Sequence, residues 1–430
     1  MKSKSAVNSI FKEVLIKVNP SNDFKEITPI LNKFLEKLKR GIKKQKIKAE
    51  VFVGGSFAKR TIIKREIYDV DIFIRFDKKY NQDTISALTE KILKTSREKY
   101  TLIHGSRDYF KVTPANNFCI ELIPVMKISK PNQAQNITDL SYSHVKYVKN
   151  KLKTKKLVDE VMLVKAFCYA NKCYGAESYI RGFSGYSLEL LILHYKSFIN
   201  FIKAVAKSNG KDKIVIDLQK HYKNKSNILM DINSSKLLSP IILVDPTFKQ
   251  RNALAALSEQ TFEKFKETCK KFINNPKVEA FELKGANINE IKENAKKNKR
   301  EFIQLEITTD KQEGDIAGSK LFKFYNFLVQ EISIYFDVKS KGFDYYNKKS
   351  AQVYFTAKAK KEIITQGPHT TDKNNARAFK KAHKNYLIKN SRLYAKNKVD
   401  FSINNSINNW KKKNARRINE MSIRELRIVG

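Results

Sequence analysis

The sequence predicts an α+β multidomain fold: a mixed α/β domain, then a mostly helical central domain, then a basic α/β C-terminal region. Three observations carry this. Between residues 49 and 128, short apolar runs with period-two alternation are interleaved with turn residues and one helical stretch. From Asp139 to about Phe272, apolar residues recur at three- and four-residue intervals instead. After Pro276 strand and helix patterns alternate again, and the chain ends in strongly basic segments. A chain of 430 residues exceeds one small core, and roughly two to four domains is the ordinary expectation. The changes of pattern divide it into 1–135, 136–275 and 276–430.

Element by element, residues 5–47 read as two helices separated by NPSND. Pro20 stops the first, and Asp23 with Glu26 forms a capping box for the second. AEVFVGGS is a strand running into a glycine turn, IYDVDIFIRF a second strand and DTISALTEKILKTSREKY a helix. YTLIHGS, DYFKVTP and FCIELIPVMKI are further strands, the last ended by Pro124. In the central region HVKYVKNKLKTK, LVDEVMLVKAFCYANK, GYSLELLILHYKSFINFIKAVAK and SEQTFEKFKETCKKFIN are helices. SPIILVDPTFKQRN interrupts them as a short strand followed by a loop. REFIQLEIT and SAQVYFTAK read as strands around the helix KLFKFYNFLVQEISIYF, and there is no internal repeat.

Composition bounds the partners. The 85 Lys and Arg residues against 43 Asp and Glu give a formal charge of +42. A chain so charged repels itself unless it meets a polyanion, and nucleic acid is the commonest one. An AT-rich genome inflates Lys, Asn and Ile without functional meaning, but that bias does not account for the shortage of acids. With 41% hydrophobic and 11% aromatic residues the chain can bury true cores, which excludes a disordered basic tail. Cys119, Cys168, Cys173 and Cys269 form no CxxC pair and have no His at zinc spacing, so free thiols are expected. The N-terminal stretch interrupts every apolar run with polar residues, unlike a signal peptide. The most apolar helix, YSLELLILHY, carries Glu189 and is far shorter than the ~20 residues a membrane span needs. A soluble, cytoplasmic protein with no membrane partner is the expectation.

The chemistry concentrates in VGGSFAKRTIIKREIYDVDIFIRF. Side chains at i and i+2 on a strand share a face, so Asp69 and Asp71 project together while Val70, Ile72 and Ile74 pack on the other side. Two carboxylates this close stay ionised only beside strong positive charge. A divalent cation with oxygen ligands supplies it, and Mg²⁺ suits a site open to water and phosphate. Taken alone, a D-x-D pair is more often an ordinary strand edge. Upstream, Gly55 and Ser56 follow a strand, where backbone N–H groups and a hydroxyl can meet phosphate oxygens, and Lys59 adds positive charge. Glu121 sits mid-strand among Ile120, Leu122 and Ile123, an unusual place for an acid unless it binds an ion or pairs with a base. Lys165 shares an apolar helical face with Met162, Leu163, Ala166 and Phe167, which is odd for Lys unless it reaches an anion.

VGGSFAKRT, YDVDIFI and IELIPV together resemble the nucleotidyltransferase signature of the DNA polymerase beta superfamily. The likeness extends to ITDLSYSHVKYV, DEVMLVKAFCYANKCYGAESYIRGFSGYSLELLILHYKSF, VDPTFKQRNALAALS and NARAFKKAHKNYLIKNSRLYA. In order and spacing these resemble the archaeal, class I CCA-adding enzymes, the tRNA nucleotidyltransferases. The resemblance covers essentially the whole chain, best between 50 and 260 and weakest from 280 to 365. It implies a polymerase-beta-like catalytic domain over 1–135, a central domain forming the nucleotide pocket over 136–275, and a tRNA-binding region over 276–430.

The implied activity is template-independent addition of CCA to the 3′ end of tRNA from CTP and ATP, with release of pyrophosphate. Asp69, Asp71 and Glu121 would bind two Mg²⁺ ions, one activating the RNA 3′-hydroxyl and the other steadying the leaving pyrophosphate. Gly55, Ser56 and Lys59 would hold the triphosphate. Ser141, His144, Lys165 and Tyr174 match positions that contact triphosphate or ribose. Arg251 matches the arginine that reads the base edge with its planar donor fork. The family usually has Asp where Glu121 stands, Thr at Ser141 and Arg at Leu140. In the basic C-terminal third, Lys and Arg are interleaved with Phe379, Tyr386 and Tyr394, which suits contact with the acceptor and T arms of tRNA. A homodimer is compatible with this reading.

Blander readings stand beside these. His144 is equally a core or surface histidine, Tyr174 a core aromatic, and Arg251 a solvated loop arginine. The glycines of RGFSGYSLEL serve tight helix packing as well as a pocket, with Ser184 or Ser187 capping the helix that follows. Two other functions share the signature. One is another template-independent RNA nucleotidyltransferase, such as a poly(A) polymerase or an A-adding enzyme. The other is a catalytically inactive RNA-binding protein.

Overall fold

Val70, Ile72, Ile74 and Phe76 alternate along one strand and are fully buried, and that alternation decides which face of the first sheet becomes core. The computed structural model describes residues 4–115, 118–209, 212–346 and 348–429. Helices α1 (Lys4–Val18) and α2 (Ser21–Lys44) precede β1 (Ala49–Val53), a single turn α3 (Gly55–Ala58) and β2 (Tyr68–Phe76). Then come α4 (Gln82–Lys94), β3 (Tyr100–Ile103), β4 (Tyr109–Ala115) and β5 (Phe118–Met126). The five strands form one sheet in the order β1-β2-β5-β4-β3. Only the β2–β5 pair in it is parallel. Helix α2 lays a stripe of Ile27, Leu31, Phe34 and Leu38 into the core beneath this sheet.

Two local expectations fail in this part. The α2 helix starts at Ser21, three residues earlier than the capping box requires, and its start has no side-chain cap. The Ser21 N–H instead donates to Asn19 Oδ1 at 3.0 Å, and Asp23 accepts from the Tyr68 hydroxyl, a long-range partner. Nor does Pro124 end β5, which continues to Met126. Pairing with β4 has already stopped at Leu122, so the missing N–H of Pro124 leaves no ladder bond unmade.

The chain continues through α5 (Ser141–Lys151), α6 (Lys155–Ala170), α7 (Gly185–Tyr195) and α8 (Phe198–Lys207). It then forms β6 (Ile214–Asp217), α9 (Lys225–Asp231), β7 (Ile241–Asp245), β8 (Phe248–Asn252) and α10 (Glu259–Asn274). The expected single helix over 185–207 is two. Lys196 turns left-handed at φ 66° and Ser197 caps the second half by accepting from the Asn200 N–H. SPIILVDPTFKQRN is not a strand and a loop but the hairpin β7–β8, and β6 pairs parallel to β7 in the same small sheet. A second core gathers α6, α7, α8 and α10. Ile10 and Val14 of α1 belong to it, and the Phe11 ring meets Phe198, Phe272 and Phe281.

Residues 1–284 form one compact unit and 285–430 another. The second contains α11 (Ile288–Lys297), β9 (Glu301–Thr308), α12 (Asp315–Tyr335), β10 (Phe336–Tyr345) and β11 (Ser350–Ala359). It continues with β12 (Glu362–His369), α13 (Lys373–Ala382), β13 (Tyr386–Lys389) and β14 (Arg392–Lys398). Helices α14 (Ile403–Lys413) and α15 (Ala415–Glu420) and strand β15 (Glu425–Ile428) complete it. One sheet runs β10-β11-β9-β15 over a core with α12 and α14, and a smaller one runs β12-β14-β13. Among the described residues no helix is long and apolar enough to cross a membrane. The four cysteines are buried free thiols.

Candidate active site

The face of β2 opposite the core carries Asp69 and Asp71. On the adjacent parallel strand β5, Cys119 stands in register with Asp69 and Glu121 with Asp71, so the three acids share one face. Asp69 is exposed, whereas Asp71 and Glu121 are partly buried. Loss of hydration pushes the Asp71 carboxyl up to about 6, with Lys59 opposing and Asp69 repulsion adding to the shift. Glu121 rises to about 8, first through burial and then through repulsion from Asp71 and Asp69, with Lys111 opposing. Burial first, and mutual repulsion second, thus disfavour ionising Asp71 and Glu121 together.

That donor set, all hard carboxylate oxygen, fits a divalent cation. Among the described residues no three His, Cys, Asp or Glu side chains converge closely enough to hold a metal ion, so the acids line a face without closing into a cage. The turn after β1 lies directly against them. The Gly54 N–H donates to the Asp71 carbonyl at 2.8 Å. Gly55 has φ +57°, and a Cβ there would fall 1.7 Å from Asp71 Oδ2, so conformation and close approach both demand glycine. Ser56 sits in α3 just beyond this turn.

Beside the turn is a buried cluster of two lysines and one acid. Glu189 of α7 is fully buried and accepts from Lys59 Nζ at 2.6 Å, Lys165 Nζ at 2.8 Å and the Thr61 hydroxyl at 2.6 Å. Lys165 Nζ also donates to the carbonyl and hydroxyl of Thr61 at 3.1 and 2.8 Å. Burial favours the neutral acid, yet the two ammonium groups hold Glu189 down at about 2. Burial pushes Lys165 down from its usual value, with Glu189 opposing. The two directions agree once the charges are counted: two lysines share a single carboxylate, leaving one positive charge in excess in a dry site. Asp71 lies close enough to both lysines to feel them.

A test of the cluster follows. The folded chain keeps Glu189 ionised below its unfolded value of 4.5, so its stabilising effect is present above that pH and lost as pH falls towards 2. Glu189→Gln should remove that acid-limb slope. Because it leaves two buried ammonium groups without their counter-charge, it should also cost about 3–5 kcal/mol at pH 7. Urea unfolding at pH 7 and pH 3 measures both effects.

A second buried acid, Asp245 at the end of β7, gathers His144, Arg251 and Tyr186. His144 Nε2 lies 2.9 Å from Oδ2, Arg251 Nη1 lies 2.6 Å from the same oxygen, and the Tyr186 hydroxyl donates to Oδ1 at 3.0 Å. The His144 and Tyr186 rings stack at 4.1 Å, and Lys59 Nζ sits 5.9 Å from the Tyr186 ring centre, which links the two clusters. Burial lowers the His144 pKa, with Asp245 opposing.

Of the remaining expected residues, Ser141 opens α5, and the preceding Leu140 is buried. Asp139, beside it, accepts from the Met126, Gln135 and Asn136 N–H groups and from Arg107, which fixes where α5 begins. Tyr174 and Lys165 meet across Gly185, where a Cβ would come 2.9 Å from the Tyr174 hydroxyl and 3.6 Å from Lys165 Nζ. Ser184 rather than Ser187 caps α7. Sequence reasoning missed Glu189, Asp245, Thr61 and Tyr186 as site residues. The signal for Glu189 was present, an acid among Leu188, Leu190 and Leu191, and so was that for Asp245, an acid closing the apolar run IILVD.

Residues 5–159 match the family model described as Second Messenger Oligonucleotide or Dinucleotide Synthetase domain, and 159–282 match tRNA nucleotidyltransferase, second domain. Among curated relatives, a CCA-adding enzyme of Nanoarchaeum equitans is 41% identical over 53% of this chain and 56% of its own length. That of Methanocaldococcus jannaschii is 29% identical over 92% of this chain and 88% of its own. That of Saccharolobus shibatae is 31% identical over 63% and 61%. The matched part thus spans less than two thirds of the first and third of these proteins. The chain is thus similar to the archaeal CCA-adding enzymes. Its fold is the polymerase-beta-like nucleotidyltransferase fold. The solved Cid1 poly(U) polymerase structure with bound MgATP is 15% identical with a TM-score of 0.52, covering 66% of this chain and 100% of that one. In family terms, the acids and the Gly55 turn lie in the first matched segment. Lys165, Tyr174, Glu189, Asp245 and Arg251 lie in the second.

Proposed function

We propose that the chain adds CCA to the 3′ end of tRNA without a nucleic-acid template, using CTP and ATP and releasing pyrophosphate. One observation carries the reading: Asp71 stands opposite Glu121 on neighbouring parallel strands, with Asp69 on the same face and Gly55 folded against Asp71. Asp69, Asp71 and Glu121 would hold Mg²⁺, which when bound would promote deprotonation of the RNA 3′-hydroxyl and departure of pyrophosphate.

The chain's own residues do the rest. The Gly55–Ser56 turn offers backbone N–H groups and a hydroxyl to phosphate oxygens. Lys59 and Lys165, one charge in excess of Glu189, hold the triphosphate beside the acids. Ser141, His144 and Tyr174 contact triphosphate and ribose. Arg251, tied by one nitrogen and 23% exposed, offers its remaining donors to the base edge. Residues 1–135 act as the catalytic domain, 136–275 form the pocket and 276–430 bind the acceptor and T arms. In that last region β13 is exposed along its whole length, Tyr386 included, as a stacking surface needs. A homodimer and a cytoplasmic location complete the proposal.

The test is incubation with tRNA ending before CCA and each labelled nucleotide in turn. Ordered incorporation of C, C and A is the expected product. Incorporation of A alone would favour an A-adding or poly(A) enzyme. Tight tRNA binding without turnover would favour an RNA-binding protein.

A further inference from the structure

Asp245 is fully buried, and its two oxygens have divided tasks. Oδ1 is consumed in fixing the carboxylate itself: it accepts from the Thr247 N–H and hydroxyl at 2.8 Å each and from the Tyr186 hydroxyl. Oδ2 serves two other side chains, His144 and Arg251. A carboxylate only accepts, so His144 Nε2 carries the proton. The Tyr186 ring, stacked on His144, has Arg251 and Lys59 each 5.9 Å from its centre. The Tyr186 ring thus lies between the lysine of the Gly55 turn and the arginine.

An unpinned arginine samples many rotamers, and its five donors then match several base edges about equally. Fixing one guanidinium nitrogen leaves the others in a single orientation relative to the triphosphate site. We propose that Asp245 is a positioning residue that sets base selectivity, by holding Arg251 and His144 in one frame. The inference rests on the reading of Arg251 given above. Without a nucleic-acid template, choice between bases is a matter of where that fork stands.

Asp245→Asn keeps the volume and the oxygen facing Thr247 and Tyr186, but turns an amide NH₂ towards Arg251 and His144. CTP, ATP, UTP and GTP binding by equilibrium dialysis, and steady-state addition to tRNA, are measured for it, for Arg251→Ala and for the double variant. The melting temperature should fall, because the amide leaves Arg251 without its buried counter-charge, while the tRNA affinity should match the parent. KM for CTP and ATP should rise about 10- to 100-fold with a much smaller change in kcat, and discrimination against UTP and GTP should fall by a similar factor. The double variant should discriminate no worse than Arg251→Ala alone. Equal weakening of all four nucleotides, or additive losses in the double variant, would overturn the proposal. If Asp245→Asn does not fold, Arg251→Lys serves instead: it keeps the charge and loses the fork, and undiminished discrimination would count against the assignment. A parent protein that adds neither C nor A would refute the CCA-adding function, while dialysis would still test Asp245.

Discussion

Asp71→Asn should reduce the proposed nucleotidyl transfer by at least about a thousandfold while leaving folding and tRNA binding unchanged. The size follows from position. Loss of groups that merely orient metal ligands costs about 10- to 100-fold, and Asp71 is proposed as a ligand itself. Tolerance of the change follows from the like charges around it. Asp71 is repelled by Asp69 and sits in register with Glu121, so removing its charge relieves a repulsion and leaves the neighbouring core residues Val70 and Ile72 untouched. Single-turnover incorporation of labelled CTP, with filter binding of tRNA and circular dichroism, separates the two effects. A variant that unfolds, or one that retains a tenth of parental activity, would contradict the assignment.

The affinity for tRNA should fall about 10³- to 10⁵-fold between 50 and 200 mM salt if about 6–10 phosphates are neutralised. The charge of +42 motivates the expectation. Exposed basic groups on α13 and at the end of α14, including Lys411, Lys412 and Lys413, would supply contacts of the required kind. Binding titrations across a salt series measure the slope. A nearly flat response would mean that the lysine excess reflects base composition of the genome rather than a partner.

What was legible in the sequence is what is short in range. The Gly55 turn, Asp69 and Asp71 lie within one hairpin, where period-two alternation alone fixes which side chains share a face. Glu121 was conspicuous as an acid in a buried strand, and its register with Asp71 puts the two side chains on one face. The two acids that organise the cations were not. Glu189 reaches Lys59 across 130 positions, and Asp245 reaches His144 across 101, distances over which local pattern carries no pairing information. The same reason explains the capping box, where Asp23 was claimed by Tyr68 from 45 positions away. The break at Lys196 had no glycine to announce it, since a lysine takes the left-handed turn there. Pro124 misled in the opposite direction, because its effect depends on whether a neighbouring strand asks for its N–H.

The place of α1 bears on how the protein is made. Ile10, Phe11 and Val14 are synthesised well before Phe272 and Phe281, which complete their cover. A nascent chain therefore carries this apolar helix only partly covered, by α6 and Phe198, until Phe272 and Phe281 follow some 260–270 residues after Phe11, at the approximate pace of 5–20 residues each second. For tens of seconds that helix is a natural target for a chaperone.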